Sequence, residues 1–286
     1  MDYEEIRYEI DGPVATISLN RPQARNGYTV RMADELAAAF DRADRDEDVR
    51  VVVFTGEGKD FCVGADLSAG GFDVSEPGAE GQDDWKEPAG RCALRIFAMN
   101  KPVIAAIRGA AVGAGASITL ACDYRLAAKD SRFGFVFSRR GIYPEGASTW
   151  FLPRLVGLGT ALDWMISGRL FDAAEARDAG LVHAAHEPDQ VLDEAYSLAR
   201  DLAANTAPVS IAVIRQMLYR LSALESPYDV QRVDSRLIAG LPTNEDAAEG
   251  VMSFLERRPP RFPGTVAKDL PGFLPWLDDG TAPRSA

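Results

Sequence analysis

The first half of the chain alternates short apolar runs with amphipathic stretches. Residues 3–20 alternate apolar and polar positions on either side of Asp11-Gly12, which predicts two short strands joined by a tight turn. Residues 30–43 carry apolar side chains at helical spacing. Continuous apolar runs predict further strands at 49–54, 103–107, 124–128 and 132–135. This succession of strands and helices predicts an α/β protein.

The second half is helical in its pattern. Amphipathic periodicity predicts helices at 160–167, 172–179, 190–204, 209–224, 229–239 and 244–257. Several prolines after residue 264 predict an irregular tail. We therefore expect a core over residues 1–200, a helical region over 201–264 and a tail over 265–286, with no linker between independent cores.

The stretch 68–91 breaks the pattern. It is rich in glycine, proline and acidic residues, which predicts a long mobile loop. A functional loop and a solvated insertion are both compatible with this composition.

Composition narrows the class of protein. The chain has 286 residues, and its 47% hydrophobic and 26% charged residues are typical of an ordinary globular protein. A net charge of −12 disfavours binding to nucleic acids and to anionic membranes. The chain has three cysteines, its N-terminal stretch is acidic and lacks an apolar run, and no apolar run is long enough to span a membrane. These features predict a cytoplasmic protein with reduced thiols.

Two glycine-rich turns follow predicted buried strands. The first reads FCVGADL over residues 61–67, and the second begins RGAAVGAGAS at Arg108 and continues into a helical pattern. A strand that enters a helix through such a turn presents free backbone N–H groups and the positive end of the helix dipole to a ligand. Turns of this kind also occur where backbone segments only pack closely, so each turn alone is weak evidence.

Taken together, the motifs resemble those of the crotonase superfamily, the enoyl-CoA hydratase/isomerase family. The likeness extends over roughly residues 3–264 and includes LNRP at residues 19–22, AAEARDAGLV at 173–182 and EGVMSFLERRPP at 249–260. It implies a spiral of ββα units with a C-terminal helical trimerisation region, and a homotrimer or a dimer of trimers. It also implies an acyl-CoA thioester substrate, with coenzyme A entering as part of the substrate and neither a separate cofactor nor a metal.

The resemblance assigns roles to the two turns. The backbone N–H groups of Val63 and Ala114 would form an oxyanion hole for the thioester carbonyl, provided that the backbone angles of Ala114 suit a β-carbon. Ala24, Ala65 and Gly113 would lie on the substrate-binding side. Asp66 and Asp123 are interpreted as structural hydrogen-bond acceptors rather than catalysts. The 68–91 loop would border the acyl pocket.

The acid and base groups decide which reaction follows. Hydratases of this family hold water with two glutamates, and the matching positions here are Ser117 and Phe137, neither of which is a carboxylate. Ser117 could hold water or substrate by a hydrogen bond, whereas Phe137 would only exclude water. Two-carboxylate hydration is therefore disfavoured.

One carboxylate remains, Glu145, in the Pro-Glu-Gly turn at residues 144–146. This turn resembles the segment that carries the single catalytic glutamate of 3-enoyl to 2-enoyl-CoA isomerases. Phe137, Tyr143, Trp150 and Phe151 are expected to bury Glu145 and to raise its pKa, with Trp150 also contacting substrate. The alternative is that Glu145 is an exposed turn residue.

The sequence thus favours a crotonase-type enzyme that isomerises 3-enoyl-CoA, with Glu145 as the base. A 2-enoyl-CoA hydratase is the alternative within the family. A catalytically silent acyl-CoA-binding scaffold is an alternative of another class, while an RNA-binding member is disfavoured by the net charge.

Overall fold

The main sheet organises the first two thirds of the molecule. A computed structural model describes residues 3–68, 70 and 84–277. Within them, six strands form a sheet in the order β1-β2-β3-β4-β6-β9, in which the β1–β2 hairpin is antiparallel and the remaining pairs are parallel. These strands are β1 (Ile6–Asp11), β2 (Val14–Leu19), β3 (Val51–Gly56), β4 (Val103–Ile107), β6 (Tyr124–Ala128) and β9 (Ala184–His186).

A smaller sheet lies beside it. Its order is β5-β7-β8, formed by β5 (Ala110–Val112), β7 (Arg132–Gly134) and β8 (Leu170–Asp172). The expected α/β class is therefore confirmed.

The central strands are buried on both faces, as their apolar sequences predict. In β2, Ala15, Ile17 and Leu19 pack into the larger core with the first two long helices. Val14, on the opposite face, packs into a second core that includes Val191 of a later helix. Alternation along a strand separates the two cores, which explains why parallel strands here read as nearly continuous apolar runs.

Helices cover both faces of the main sheet and continue beyond it. They are α1 (Val30–Arg45), α2 (Pro88–Ala98), α3 (Ala114–Ser117), α4 (Ser148–Ser167), α5 (Ala173–Asp178), α6 (Val191–Asn205), α7 (Pro208–Leu221), α8 (Pro227–Ala239), α9 (Glu245–Glu256) and α10 (Val266–Asp269). Among the described residues, no helix is long and apolar enough to cross a membrane.

Two helices begin earlier than the pattern predicts. Helix α4 starts at Ser148 rather than at residue 160, because two helical segments meet at a kink where Gly157 has a φ of +78°. Helix α2 starts at Pro88, inside the predicted 68–91 loop, because proline is well suited to the first helical position. Residues 71–83 of that predicted loop lie outside the described residues.

The predicted regional boundaries need adjustment. Helix α6 packs on the main sheet through Val191, Ala195 and Ala199 and runs past residue 200 to Asn205, so the core extends further than predicted. The stretch predicted as an irregular tail contains α10 and buries Leu274 and Trp276 against α7. Its last residues, 278–286, lie outside the described residues.

Candidate active site

The two glycine-rich turns lie against each other. Strands β3 and β4 are parallel neighbours, so the chain leaves both at the same edge of the sheet. The backbone carbonyl of Cys62 accepts a hydrogen bond from the Val112 N–H at 3.0 Å. The backbone N–H of Cys62 donates to the Ala110 carbonyl at 2.9 Å. A β-carbon on Gly115 would lie 2.3 Å from the Cys62 carbonyl oxygen, so only glycine allows this approach. The two turns are therefore in direct contact, and the convergence of the Val63 and Ala114 N–H groups on one point stays a prediction.

Both predicted oxyanion-hole amides are free. Among the described residues, neither the Val63 N–H nor the Ala114 N–H donates a hydrogen bond to the protein. Ala114 is the first residue of α3, and the positive φ of +55° falls on the preceding Gly113. The backbone at Ala114 therefore accommodates its β-carbon, which meets the condition that the sequence imposed. Two free amides on adjoining turns can accept a developing negative charge on a carbonyl oxygen.

The Pro-Glu-Gly turn packs on the second of these turns. A β-carbon on Gly146 would lie 3.1 Å from the Cβ of Ser117, three residues beyond Ala114. Gly146 has a φ of +61°, and Ala147 follows with a φ of +51° before α4 begins. The turn that carries Glu145 therefore lies against the end of α3, the helix that begins at Ala114.

Electrostatics identify Glu145 as the perturbed acid of the site. Burial raises its pKa to about 7, and the negative charge of Glu87 adds to the effect. Burial also raises the pKa of Cys62 to about 12, with the charge of Glu145 contributing in the same direction. With a pKa of about 7, the Glu145 carboxyl can both take up and release a proton near neutral pH.

One of the four aromatic side chains predicted to bury Glu145, that of Tyr143, does not do so. Tyr143 is 88% exposed and so does not cover Glu145, since the turn directs that side chain to solvent. Phe137 is buried in the larger core. Trp150 packs edge-on against Phe97 and Phe151, with its ring centroid 5.7 Å from that of Phe97. Contact of Phe137 or Trp150 with substrate stays a prediction.

Ala24 and Ala65 lie on one side of the site. The Tyr28 N–H bonds to the Gly64 carbonyl at 2.8 Å, and Ala65 pairs with Tyr28 in an isolated parallel bridge. Gly27, which bonds to the Ala24 carbonyl at 2.9 Å, would place a β-carbon 3.2 Å from the Cβ of Asp66. The segment that contains Ala24 is thereby held against the first turn, while contact of Ala24 and Ala65 with substrate stays a prediction.

The two aspartates next to the turns are structural. Asp66 forms an ion pair with Arg21 at 2.7 Å. Asp123 accepts hydrogen bonds from the buried guanidinium of Arg215 at 2.9 Å and from the Val103 N–H at 2.8 Å. Each carboxylate fixes chain segments to each other, in agreement with the sequence interpretation.

Sequence reasoning missed Glu87. It lies inside the predicted loop, and its Oε1 accepts a hydrogen bond of 2.7 Å from the Gly146 N–H. The signal that could have found it is Pro88, because a proline at the first position of an apolar, helical pattern marks a helix start.

The histidine, cysteine and acidic side chains form no alternative metal site in the part of the chain that the structure describes. Among the described residues, no cluster of three or more histidine, cysteine or acidic side chains is arranged to bind a metal. Cys62, Cys92 and Cys122 are free and buried, as the expectation of reduced thiols requires. A separate cavity between the end of α1 and the C-terminal segment, lined in part by Lys101 and Phe262, contains none of the predicted site residues.

Comparison with known proteins identifies the family of this chain. The sequence model of the family described as enoyl-CoA hydratase/isomerase matches residues 9–265. An enoyl-CoA hydratase of Alternaria alternata is 37% identical over 262 residues, which cover 90% of this chain and 86% of the relative. A 1,2-epoxyphenylacetyl-CoA isomerase of Escherichia coli is 32% identical over 264 residues, which cover 91% and 99%.

Solved structures give the same answer for the fold. The crystal structure of an enoyl-CoA hydratase from Mycobacterium tuberculosis superposes with a TM-score of 0.80 at 31% identity and covers 91% of this chain and 99% of that one. The crotonase-type fold that the motifs imply is therefore confirmed. With a matching family model over most of its length and relatives of the same fold, this chain belongs to the enoyl-CoA hydratase/isomerase family of crotonase-type acyl-CoA enzymes.

Proposed function

We propose that this acyl-CoA enzyme moves the double bond of a 3-enoyl-CoA to the 2-position, with Glu145 as the proton carrier. The observation that carries the proposal is one carboxyl, with its pKa raised to about 7, on a turn that packs against α3, the helix that begins at Ala114. Ser117 and Phe137 stand where a two-glutamate hydratase would have its carboxylates. One acid beside an oxyanion hole is the minimum that a double-bond shift requires.

The reaction needs a single proton carrier. Ionised Glu145 takes a proton from C2 of the thioester, and the electron pair moves toward the carbonyl oxygen. The Val63 and Ala114 N–H groups stabilise the negative charge of the resulting dienolate. Protonated Glu145 then returns the proton to C4, which leaves the double bond between C2 and C3. No cofactor enters this scheme beyond the coenzyme A of the substrate.

The pKa of Glu145 suits both halves of this cycle. A carboxyl of ordinary pKa would be a weak base toward carbon, whereas burial raises the pKa of Glu145 to about 7. Proton transfer is most effective when the pKa of the catalytic group lies near the working pH. We therefore expect kcat/KM to rise with pH through about 7 and then to level off.

Hydration of a 2-enoyl-CoA is the second candidate. Its support is that relatives such as the Alternaria alternata protein are named enoyl-CoA hydratase. In this scheme Glu145 would activate a water molecule held in part by Ser117, whose hydroxyl bonds to the Gly113 carbonyl at 3.1 Å. Hydration requires that one group take a proton from water and that C2 receive one, so a single carboxyl would have to do both.

Initial rates on two substrates separate the candidates. We expect the purified enzyme to convert a 3-enoyl-CoA faster than it hydrates the corresponding 2-enoyl-CoA. Glu145→Gln should lower the isomerisation rate by about 10³-fold or more, since it removes the proton carrier while keeping the size of the side chain. Asp34→Asn, which changes an exposed carboxylate paired with Arg91 on α2, is the matched control and should retain the wild-type rate.

Each other outcome has a definite meaning. Faster hydration than isomerisation would favour the hydratase. Equal isomerisation by wild type and Glu145→Gln would exclude Glu145 as the base. Binding of acyl-CoA without turnover of either substrate would support the catalytically silent scaffold.

We further propose a homotrimer or a dimer of trimers in the cytoplasm, without nucleic-acid or membrane partners. The buried free cysteines and the net charge of −12 support this environment. Exposed apolar side chains on the C-terminal helices, such as Phe254 on α9, support self-association.

A further inference from the structure

Glu87 occupies a helix N-terminus without capping that helix. It is the residue before α2, where a side chain commonly accepts a bond from the helix's own first amides, yet Glu87 makes no such bond. Its Oε1 instead accepts the N–H of Gly146 at 2.7 Å, across 59 residues of chain. The carboxylate therefore joins the start of α2 directly to the turn that carries Glu145.

The surroundings of the Glu87 carboxylate are shaped to hold it. A β-carbon on Gly90 would lie 2.5 Å from Glu87 Oε1, so the absence of a side chain in the first turn of α2 makes room for the group. On the far side lies Gly146, which has a φ of +61°. A β-carbon added to Gly146 would lie 3.5 Å from the Cβ of Ala89. The positive end of the α2 dipole also stabilises a negative charge at this point.

The second oxygen of Glu87 is left without a partner. Among the described residues, Oε2 is buried and makes no hydrogen bond. A buried carboxylate oxygen without a donor costs free energy that a neutral side chain would avoid. The charge of Glu87 therefore needs a reason beyond the bond to Gly146, because a glutamine could make that bond equally well.

We propose that Glu87 is a positioning residue for Glu145. Its Oε1 holds the Gly146 amide, and with it the Pro-Glu-Gly turn, against α2 and α3. Its negative charge lies beside the Glu145 carboxyl and makes that group a stronger base. This inference rests on the proposed function of Glu145 as the proton carrier.

Glu87 is the charged neighbour that the Glu145 carboxyl meets. The other titratable groups around the two glutamates are Cys92 on α2 and Tyr28 and Cys62 on separate segments, and burial raises the pKa of each. All three are therefore neutral near pH 7. Removal of the Glu87 charge should then favour the ionised form of Glu145 and lower its pKa, because the repulsion between like charges is lost.

Two substitutions separate the two roles of Glu87. Glu87→Gln keeps an acceptor for the Gly146 N–H and removes the charge, whereas Glu87→Ala removes both. In the pH profile of kcat/KM for a 3-enoyl-CoA, the acid limb is the range in which the rate constant rises with pH. We expect both variants to shift this acid limb to lower pH by roughly half a pH unit to one pH unit. At high pH, Glu87→Gln should keep kcat within a few-fold of wild type, while Glu87→Ala should lower kcat by about tenfold or more with little change in KM.

A second readout is independent of turnover. The pKa of Glu145 can be followed by carbon-13 NMR of protein labelled at its glutamate carboxyls, with the Glu145 signal assigned from its loss in Glu145→Gln. We expect this pKa to fall in both Glu87 variants by the same amount as the acid limb. Asp34→Asn, which removes an equal charge from α1 where Asp34 pairs with Arg91 of α2, should change neither measurement.

The proposal has clear contradicting results. An unchanged Glu145 pKa and acid limb in Glu87→Gln would overturn the electrostatic role, and equal kcat for Glu87→Gln and Glu87→Ala would overturn the anchoring role. If wild type does not isomerise a 3-enoyl-CoA, the proposed function fails, and the NMR titration still decides whether Glu87 controls the Glu145 carboxyl. Circular dichroism and the midpoint of thermal unfolding verify that each variant is folded.

Discussion

At the scale of single residues, the chemistry depends on the cost of burying one carboxylate. Glu145 has a folded-state pKa of about 7, above the ordinary value of 4.5, because burial disfavours its charged form. Below pH 4.5 the group is protonated in both the folded and the unfolded chain and costs nothing. The destabilisation grows as the pH rises from 4.5 to 7 and is complete above 7. The burial that raises the pKa of Glu145 therefore also lowers the free energy of unfolding above pH 4.5.

This opposition predicts a stabilised but inactive variant. Glu145→Gln should raise the free energy of unfolding at pH 8 by about 2 kcal/mol, because one pKa unit corresponds to about 1.4 kcal/mol and the side chain is partly solvated. At pH 4 the gain should disappear, since wild-type Glu145 is then neutral. Urea unfolding at the two pH values measures the difference. Glu9→Gln, on the exposed face of β1, is the control, and equal stability of Glu145→Gln and wild type at pH 8 would contradict the account.

The candidate site residues differ in how readily the sequence reveals them. Val63 and Ala114 would act through backbone amides, and the glycine pattern around them is sufficient to predict the two turns that carry these amides. Glu145 was predicted from its Pro-Glu-Gly turn, while the cause of its burial was not, because Tyr143 points to solvent. Pro88 marks the helix start at Glu87, but the bond between Glu87 and Gly146 could not be predicted, since it joins residues 59 positions apart and depends on tertiary structure.

At the scale of elements, the C-terminal helices expose large apolar side chains to solvent. Leu218 on α7 is 63% exposed, Phe254 on α9 is 80% exposed and Leu255 is 67% exposed. Exposed apolar groups of this size on neighbouring helices mark an interaction surface. Together with the proposed trimer, they indicate where one subunit would contact another.

This exposed apolar surface predicts that a charged substitution on it disrupts the proposed trimer. Wild-type protein should elute with three or six times the mass of the chain in size-exclusion chromatography with light scattering. Phe254→Lys should shift the protein toward the monomer, because a buried ammonium without a partner strongly disfavours the interface. Ile10→Lys, at a 45% exposed position on the β1 edge, is the control and should leave the mass unchanged. A monomeric wild type, or a Phe254→Lys variant of unchanged mass, would contradict the assignment of this surface.

The observed bounds of strands and helices show where the local sequence pattern no longer predicts secondary structure. Strands β4 and β6 coincide with their predicted bounds, because each is a buried apolar run that ends at turn residues. Helix α4 was predicted only from residue 160, since Pro153 and Gly157 interrupt the helical signal although the chain remains helical on both sides. Helix α2 was hidden by the acidic, glycine-rich composition that precedes it.

At the scale of the whole molecule, the fold was predicted better by spaced motifs than by periodicity. Alternation of strands and helices indicates an α/β protein but does not specify that β5, β7 and β8 form a separate sheet beside the main one. Helix α6 shows the same limit, because its packing on the main sheet carries the core past the predicted boundary at residue 200. Such contacts are long-range, and a single sequence specifies them only through resemblance to a known family.

The central claim is that one carboxyl carries one proton from C2 to C4 of the bound thioester. The most direct measurement uses a 3-enoyl-CoA with deuterium at C2 and follows the label by mass spectrometry and NMR in ordinary water. A shuttle through Glu145, shielded from solvent, predicts that part of the deuterium lost from C2 is found at C4 of the 2-enoyl-CoA product, and that Glu145→Gln abolishes both the reaction and the transfer. A product without any label at C4, or equal transfer by Glu145→Gln, would contradict the account.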